Sequence, residues 1–416
     1  HIRKDLGITL SQRQSEAVYV AFRNNLSIIT GSPGTGKTTV LRAIIEVFKK
    51  IYPDKKLALA APTGKASRRM AESTGCDEAK TLHSLLGEDN FIKKKDKKPL
   101  DTELIIVDES SMIDMWLAKQ FFSRIQPGTK IVLVGDIDQL QSVGAGDVFR
   151  ELIQCGLIPV TVLNEIFRQS QDSRIAHNAK KINQAETDLY YGDDFCFVKC
   201  QTQEETADII CRLFCKQAER LGVEKVQILS PYRSDGLASV DKLNAAIREM
   251  VNPVQDDLPD LKIGSHFFRV GDKVMQTKNN DIASNGDIGF IRKMERNSSN
   301  ETIVTIEFSD SRKAEYGFED MGHIELSYAT TIHKAMGSEY DTVIIPVIRS
   351  HAIMLNRNLI YTAITRAKRK VILVGQQGML MMAIHKNETG KRNTMLGERI
   401  GMYLKTYQLK QEKKAS

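Results

Sequence analysis

The segment 31–39 constrains the fold of this chain more than any other part of the sequence. It contains a glycine, four further residues and then Gly-Lys-Thr, with an apolar strand-like run at 26–29 before it and a helix-like run at 39–50 after it. The pattern indicates a phosphate-binding loop because a strand precedes it and a helix follows it. Glycines let backbone N–H groups surround phosphate oxygens, and the positive end of the following helix adds to the attraction. The segment predicts a site for a nucleoside triphosphate.

Two residues of this loop have specific predicted roles. Lys37 would reach the β- and γ-phosphates, and the hydroxyl of Thr38 would be a ligand of Mg²⁺. The predicted nucleotide-contacting set is Gly31, Gly34, Thr35, Gly36, Lys37, Thr38 and Thr39.

Two adjacent carboxylates follow another apolar run further along the chain. The run 104–107 leads directly into Asp108 and Glu109. In a nucleotide-hydrolysing site, Asp108 would hold Mg²⁺ and Glu109 would act as the general base on the attacking water. Two acids at a strand end are a common surface feature, and it is the upstream phosphate loop that favours the catalytic interpretation.

Three further polar residues complete the predicted phosphate chemistry. Gln139 follows the apolar run 131–136, and its amide could sense the γ-phosphate or order the attacking water. Arg168 and Arg366 carry guanidinium groups that would stabilise charge on a transferring phosphoryl group, although each taken singly is more often part of a surface salt bridge. The predicted catalytic set is Lys37, Asp108, Glu109, Gln139, Arg168 and Arg366.

Strand-like and helix-like runs alternate through residue 160, which predicts βαβ units and a parallel sheet. Ligands of such sheets bind where the carboxyl ends of the strands meet. Between 252 and 325 the pattern changes to short alternating runs separated by turn signals, which predict a small antiparallel β unit, a barrel. The strand–helix alternation then returns from 342 to 375. The length of 416 residues also suggests two or three domains.

Composition places the chain among soluble globular proteins, with 41% hydrophobic and 27% charged residues. The net charge of +7 suits a polyanionic partner without demanding one. No segment approaches the roughly 18 apolar residues of a membrane span, and the first residues lack the apolar core of a signal peptide. We therefore expect a cytoplasmic protein with no membrane partner. Because the initiator Met is missing, we also expect the chain to be part of a longer protein.

Four of the six cysteines have a spacing that suggests a metal site. Cys196, Cys200, Cys211 and Cys215 read C-x3-C-x10-C-x3-C. Structural zinc sites more often use C-x2-C or C-x4-C, and buried thiols of an intracellular protein explain the same residues. Buried thiols are the favoured interpretation, with metal binding as the alternative.

A lysine-rich segment at 88–100 lies between two predicted core elements of the nucleotide domain. A run of like charges is usually a solvated loop. Its position fits a short projecting insertion equally well, and the residues alone leave both interpretations open.

The order and spacing of these segments resemble the motifs of superfamily 1 helicases, in detail those of RecD-like helicases of the 5′→3′ branch. The resemblance extends from about residue 8 to residue 375. The motif V segment departs from the family at Ala335-Met336, where Ser-Gln is common, so no polar role is expected for that pair. The matching segments are 10–14 for the adenine-reading motif, 31–39 for motif I, 60–66 for motif Ia, 81–83 for the element after it, 106–112 for motif II, 134–140 for motif III, 167–169 for motif IV, 328–339 for motif V and 358–367 for motif VI.

The resemblance implies further site residues. Gln14 would read the adenine base, and Glu339 would lie near the ribose. Single-stranded DNA would cross the top of both motor domains. The implied DNA contacts are Pro62, Thr63 and His83 in the first domain and Tyr232, Arg233, Thr331 and His333 in the second.

The implied fold is α/β, with two RecA-like parallel-sheet P-loop domains, a small inserted β-barrel and a short basic insertion. The first domain would comprise 1–165, with 88–100 at the position of the family's strand-separating pin. The second would comprise 166–264 and 326–416, with the barrel at 265–325. ATP and Mg²⁺ would lie in the cleft between the motor domains.

The implied function is an ATP-dependent DNA helicase or translocase that moves 5′→3′ along single-stranded DNA and unwinds duplex in repair or recombination. The short insertion favours this branch, since members of the 3′→5′ branch generally carry far larger ones. A relaxase-associated translocase with little unwinding activity and an ATP-switched nucleic-acid clamp are the alternatives. Implied partners are single-stranded DNA and duplex junctions, with single-strand binding or recombination proteins as further candidates. The motor is expected to be monomeric.

Overall fold

The computed structural model describes residues 7, 9–76, 78–87, 98–165, 173–254, 260–263, 266–388, 392 and 394–415. The chain divides into two units, one formed by His1–Asp172 with Thr389–Ser416 and the other by Ser173–Glu388. Most of the lysine-rich segment, at 88–97, and the predicted catalytic residue Arg168 lie outside the described residues. Each unit has its own parallel sheet, as the sequence predicts.

The first unit is organised around a six-stranded parallel sheet. Its strands are β1 (Leu26–Gly31), β2 (Leu57–Ala61), β3 (Lys80–Thr81), β4 (Leu104–Val107), β5 (Lys130–Gly135) and β6 (Val160–Leu163). They follow the order β3-β2-β4-β5-β1-β6, so the strand that precedes the phosphate loop lies between β5 and β6. All four residues of β4 are buried, as expected of a strand that is covered on both faces.

Helices cover both faces of this sheet and form two separate core clusters. They are α1 (Gln12–Arg23), α2 (Lys37–Ile51), α3 (Gly64–Thr74), α4 (Leu82–Leu85), α5 (Met115–Phe122) and α6 (Val148–Gln154). The first cluster contains apolar residues of α1, α2 and α3, and the second those of α4, α5 and α6. Alternate residues along the strands belong to alternate clusters, which fixes the register of each strand.

The second unit combines a parallel sheet with an antiparallel one. Its strands are β7 (Phe195–Lys199), β8 (Val226–Ser230), β9 (Leu261–Ile263), β10 (His266–Phe268), β11 (Lys273–Gln276), β12 (Ile288–Arg296), β13 (Thr302–Phe308), β14 (Lys313–Tyr316), β15 (Ile324–Leu326), β16 (Ala329–Thr331), β17 (Tyr340–Val347) and β18 (Ala367–Gly375). The parallel sheet has the order β16-β8-β17-β18-β7. Its helices are α7 (Arg174–Asn183), α8 (Gln203–Leu221), α9 (Val240–Val251), α10 (Arg357–Ile364) and α11 (Gln377–His385).

The predicted inserted β element is confirmed. Strands β11 to β15 form an antiparallel sheet of order β14-β13-β12-β11-β15, beside a β9–β10 hairpin. Buried side chains such as Phe268, Ile306 and Tyr316 form its own core cluster. The element thus has the small, independent core expected of an inserted domain.

A buried lysine anchors this β element to the parallel sheet of the same unit. Lys273 of β11 has no exposed surface, and its ammonium donates to the carbonyl oxygens of Val223 (3.0 Å) and Val226 (2.8 Å) and to Oε1 of Gln227 (3.1 Å). A buried cation is tolerated only where its donors are satisfied. The three acceptors therefore hold β11 at the amino-terminal end of β8.

The C-terminal helix differs from the domain assignment made from the sequence. α12 (Leu396–Ala415) belongs to the first unit, whereas 326–416 is assigned above to the second domain. Leu396 and Ile400 pack against a core cluster of the first unit, and the N–H of Gly397 donates to the Glu151 carboxylate (3.2 Å). These contacts join residues that are distant in sequence, so local periodicity does not reveal them. Neither α12 nor any other described helix is apolar enough to span a membrane.

The cysteines are all free thiols. Cys200 and Cys211 are buried, whereas Cys196 and Cys215 are partly exposed. Burial raises the pKa of Cys211 to about 11. Among the described residues, no three His, Cys, Asp or Glu side chains form a group that could hold a metal ion.

Candidate nucleotide site and nucleic-acid surface

The phosphate loop connects the carboxyl end of β1 to the first turn of α2. Gly34 and Gly36 have φ values of 82° and 79°, a left-handed conformation that glycine adopts without steric cost. A Cβ on Gly31 would lie 2.7 Å from the carbonyl oxygen of Leu163, so no side chain fits there. The hydroxyl of Thr35 donates to the carbonyl of Ser32 (2.7 Å) and closes the loop. The predicted glycines therefore have the geometry that the motif requires.

Lys37 directs its ammonium group into the phosphate loop. Nζ donates to the carbonyl oxygens of Gly31 and Ser32, the latter at 3.2 Å. The amine is thus held at the N-terminal end of α2, where backbone N–H groups and the helix dipole also attract anions. Thr38 and Thr39 lie in the first turn of α2 and are partly buried.

Asp108 lies at the carboxyl end of β4, near Lys37. Its backbone N–H donates to the carbonyl of Ala60 (2.9 Å), and its Oδ1 accepts from the N–H of Glu109 (2.8 Å). Burial, and next the charge of Glu109, raise the pKa of Asp108 to about 6 against the opposing charges of Lys37 and Arg69. The structure therefore brings the predicted lysine and aspartate together. It also adds Arg69, which the sequence analysis did not identify.

Glu109 has a backbone conformation that non-glycine residues rarely adopt. Its φ is 51°, and it immediately precedes the 3₁₀ turn Ser110–Met112. Such conformations cost about 1–3 kcal/mol and persist where the surrounding structure holds them, often at functional sites. This left-handed conformation changes the direction of the chain at the end of β4, beside Asp108.

The raised pKa of Asp108 leads to a prediction about stability. Because the folded pKa exceeds the ordinary value of 3.8, ionisation of Asp108 destabilises the fold progressively from about pH 4 to 6 and by a constant amount above. At neutral pH this rise in the pKa of Asp108 lowers the free energy of unfolding by at most about 3 kcal/mol, and by less because the side chain is partly exposed.

We therefore expect Asp108→Asn to raise the free energy of unfolding by about 1–2 kcal/mol at pH 7.5 in EDTA. The gain should disappear near pH 4, where the wild-type carboxyl is protonated. Chemical denaturation at both pH values measures it. An equal gain at both values would contradict the electrostatic cause.

Gln139 lies after β5 with its amide almost wholly buried. Nε2 donates to Oδ2 of Asp136 (3.3 Å), while Oε1 is buried without a hydrogen-bond partner. Buried polar atoms normally have partners. The unused group is an acceptor, which fits the ordering of a water molecule better than donation to the γ-phosphate.

Gln14 connects the start of α1 to the phosphate loop. Its Oε1 accepts from the N–H of Ser11 (3.0 Å), which completes a capping box, and its Nε2 donates to the carbonyl of Thr35 (3.4 Å). Gln14 is thus a buried link between helix and loop. Its contact with adenine stays a prediction.

In the second unit, Arg366 is buried directly after α10. Its NH1 donates to the carbonyl of Ser338 (3.3 Å), and its Nε has no hydrogen-bond partner. Glu339 lies next to Ser338, with Oε2 3.7 Å from Nζ of Lys368. The roles of Arg366 and Arg168 in phosphate chemistry, and that of Glu339 at the ribose, stay predictions.

The DNA-contacting residues predicted in the first unit share one edge of the sheet. β2 and β3 are parallel neighbours in which Ala61 pairs with Thr81. Thr63 and His83 each follow two residues later, so both emerge at the carboxyl edge, and Pro62 precedes Thr63. This is also the edge at which the phosphate loop and Asp108 lie.

The second unit repeats this arrangement. β8 and β16 are parallel neighbours in which Ser230 pairs with Thr331. Tyr232 and His333 each follow two residues later, at the carboxyl edge of this sheet. Burial lowers the pKa of His333, which therefore presents a neutral imidazole at pH 7.

Glu325 of β15 pairs with two cations that neighbour Tyr232 and His333, and no sequence pattern pointed to it. Its carboxylate oxygens lie 2.8 Å from a guanidinium nitrogen of Arg233 and 2.8 Å from Nζ of Lys334. Burial acts to raise the pKa of Glu325, but the ion pairs with Lys334 and Arg233 outweigh it and lower the pKa. Nothing in the run 324–326 distinguishes this glutamate from an ordinary strand residue.

His351 was also missed, and it supports Tyr232. The two rings are 5.3 Å apart between centroids. His351 is buried. Burial lowers its pKa to about 4, so the ring that backs Tyr232 is uncharged at neutral pH.

Three family profiles match separate parts of the chain. An AAA domain matches 14–145, which contains the phosphate loop and the carboxylate pair. The SH3 domain of ATP-dependent RecD-like DNA helicases matches 243–308, within the inserted β element and the helix before it. A UvrD-like helicase C-terminal domain matches 326–374, which includes Thr331, His333 and Arg366.

Similar full-length proteins point to the same family. The ATP-dependent RecD2 DNA helicase of Deinococcus radiodurans is 33% identical over 394 residues, which cover 94% of this chain and 52% of that protein. The RecD subunit of the RecBCD enzyme of Mycolicibacterium smegmatis is 28% identical over 424 residues, which cover 90% of this chain and 73% of that protein. The chain therefore spans about half the length of the first relative.

Solved structures of Pif1 helicases share the fold. Pif1 of Candida albicans has a TM-score of 0.55 at 20% identity, with 96% of this chain and 100% of that chain covered. Bacteroides Pif1 bound to single-stranded DNA has a TM-score of 0.55 at 19% identity, with 88% and 92% covered. The order of profiles, the inserted β element and the relatives agree with the motifs, and the chain belongs to the RecD-like helicases of superfamily 1, as their motor-domain portion.

Proposed function

We propose that the chain is an ATP-dependent DNA helicase motor that moves 5′→3′ along single-stranded DNA and couples ATP hydrolysis to duplex unwinding. One observation carries the proposal: the phosphate loop, Asp108, Thr63 and His83 all lie at the carboxyl edge of a single sheet. ATP binding or hydrolysis can then alter the nucleic-acid contacts through this one sheet. The name of the Deinococcus relative, an ATP-dependent DNA helicase, supports the proposal.

The donor set at the phosphate loop fits Mg²⁺. The Thr38 hydroxyl and the Asp108 carboxylate are hard oxygen ligands of the kind that this ion prefers. Thr38 and Asp108 would hold the ion, which when bound neutralises charge on the phosphates of ATP.

The proposed catalytic residues have separate roles in hydrolysis. Lys37 binds phosphate oxygens with the ammonium that now contacts the loop carbonyls. Glu109 accepts a proton from the attacking water, and the free Oε1 of Gln139 accepts a hydrogen bond from that water and orients it. Arg366 and Arg168 stabilise charge on the transferring phosphoryl group.

Sequence-tolerant contacts suit a motor that moves along any strand. Phosphate contacts from Arg233 and Thr331, with imidazole contacts from His83 and His333, do not read base identity. Single-stranded DNA and duplex junctions are the proposed substrates, in repair or recombination in the cytoplasm. Single-strand binding or recombination proteins are the proposed partners of a monomeric motor.

DNA-stimulated ATP hydrolysis tests this proposal. We expect the rate of phosphate release to rise at least about 10-fold when unstructured single-stranded DNA is added, since strand binding and nucleotide chemistry share one sheet edge. ATP hydrolysis that is indifferent to DNA would contradict a motor. ATP-dependent DNA binding without stimulated hydrolysis would favour the alternative function, an ATP-switched nucleic-acid clamp.

Glu325 should weaken DNA binding, because it competes with DNA phosphates for Arg233 and Lys334. We expect Glu325→Gln to tighten binding to single-stranded DNA by about 2- to 5-fold, the range of a partly exposed ion pair. The slope of log affinity against log salt should steepen by up to about 1.4, for two freed cations at roughly 0.7 each.

Fluorescence anisotropy at several salt concentrations measures both effects. Glu307→Gln is the matched control, since Glu307 forms an ion pair of 2.7 Å with Arg292 on the same β element and has similar exposure. An equal effect of both substitutions would show that general charge, not competition at Arg233 and Lys334, is responsible.

A further inference from the structure

Trp116 is the only tryptophan of the sequence, and its side chain is 54% exposed. It lies in the first turn of α5, where the carboxylate of Asp114 caps the helix by accepting from the N–H of Leu117 (2.8 Å). Leu117, Ala118 and Phe121 form the buried face of α5. The apolar ring of Trp116 therefore lies on the outer face of a helix whose inner face is already packed.

The Trp116 ring stacks against a residue that is already implicated in DNA contact. The ring centroids of Trp116 and His83 are 6.4 Å apart, and their planes differ by 25°. His83 emerges beside Thr63 at the carboxyl edge of the sheet, as shown by the β2–β3 register. Trp116 thus adds one large, exposed aromatic surface beside His83.

The first turn of α5, which carries Trp116, is held in place by the neighbouring loop 144–146. The N–H of Met115 donates to the carbonyl of Ala145 (2.9 Å), and Gly146 approaches Met115 so closely that an added Cβ would lie 3.1 Å away. Arg392 donates to the carbonyls of Gly144 (2.7 Å) and Gly146 (2.6 Å) and holds that loop. A rigid support reduces the entropy lost when a ligand stacks on the ring.

We propose that Trp116 stacks on a base of the bound single-stranded DNA, with His83 as the second ring of the platform. Every base presents a π face, so stacking adds affinity without sequence preference, as a translocating motor requires. The inference rests on the proposed function, because it names a further contact of the same DNA track.

The single tryptophan makes the test direct, because its emission reports on Trp116 alone. Titration with an unstructured thymidine oligonucleotide should quench this emission at the concentrations that saturate binding measured by anisotropy. Trp116→Ala should weaken binding by about 5- to 100-fold, and Trp116→Phe by much less, since it keeps a ring. Tyr403→Ala, at a 76% exposed aromatic of α12, should bind as wild type does.

An abasic oligonucleotide of the same length separates stacking from a structural effect. Wild type should bind it more weakly than the thymidine oligonucleotide, whereas Trp116→Ala should bind the two alike. If Trp116→Ala discriminates between them as well as wild type does, the stacking inference is wrong, and a DNA-stimulated ATPase would still stand. If wild type binds neither oligonucleotide, the proposed function itself fails.

Discussion

Lys37→Ala should reduce ATP hydrolysis by at least roughly 10²- to 10³-fold, the range for loss of a preorganised charge at a reacting centre. The ammonium of Lys37 is held within the phosphate loop by the carbonyl oxygens of Gly31 and Ser32, at the N-terminal end of α2. Alanine removes the only side-chain cation that contacts these two carbonyls among the described residues. Phosphate release at saturating ATP and DNA measures the loss.

Lys50→Ala is the matched control for this substitution. Lys50 lies at the other end of α2 and is exposed, so the same change of residue type is made far from the loop. We expect normal hydrolysis in this variant and cooperative thermal unfolding in both, which shows that each is folded. Hydrolysis that persists in Lys37→Ala would exclude the loop as the site of chemistry.

Glu109→Gln should slow hydrolysis strongly while leaving ATP binding intact. The substitution keeps the shape of the side chain and removes only its ability to accept a proton, which is worth about 10²- to 10⁴-fold in rate. The left-handed backbone at Glu109 should be unaffected, since both residues bear the same strain. We therefore expect a variant that binds ATP and DNA together but releases phosphate at least about 100-fold more slowly than wild type.

Rapid-quench measurement of a single turnover, with nucleotide binding followed separately, tests this expectation. Glu103→Gln is the control at the opposite end of β4, where the glutamate accepts from the N–H of Lys56 (2.7 Å) and a glutamine oxygen can do the same. If Glu109→Gln hydrolyses ATP at the wild-type rate, another group is the general base.

The geometry of the phosphate loop was predictable from the sequence because it depends on residues that are neighbours in the chain. A strand, a glycine-rich loop and a helix follow one another at 26–51, and that succession is enough to define the loop. Asp108 lies at the same edge because parallel strands place their carboxyl ends there, and it comes near Lys37 because only β5 separates β4 from β1. The shared edge was predictable from the alternation of strands and helices, whereas the strand order was not.

Other features depend on contacts that no local pattern encodes. The packing of Leu396 against the first unit, the ion pairs of Glu325 and the ring pair of His83 and Trp116 each join residues far apart in sequence. Periodicity in α5 does indicate that Trp116 faces outward, because residues 117, 118 and 121 form the apolar face. Periodicity does not indicate that His83 lies beside Trp116. Gln14 shows the same limit, because its motif predicts an adenine contact and not the capping box.

Displacement of streptavidin from biotinylated single-stranded DNA tests most directly whether this chain is a motor that moves 5′→3′. With ATP, wild type should remove streptavidin from a 3′-biotinylated strand much faster than from a 5′-biotinylated one, and Lys37→Ala should remove it from neither. Removal only from the 5′ end would contradict the polarity. ATP hydrolysis stimulated by DNA, with streptavidin retained at both ends, would contradict movement itself.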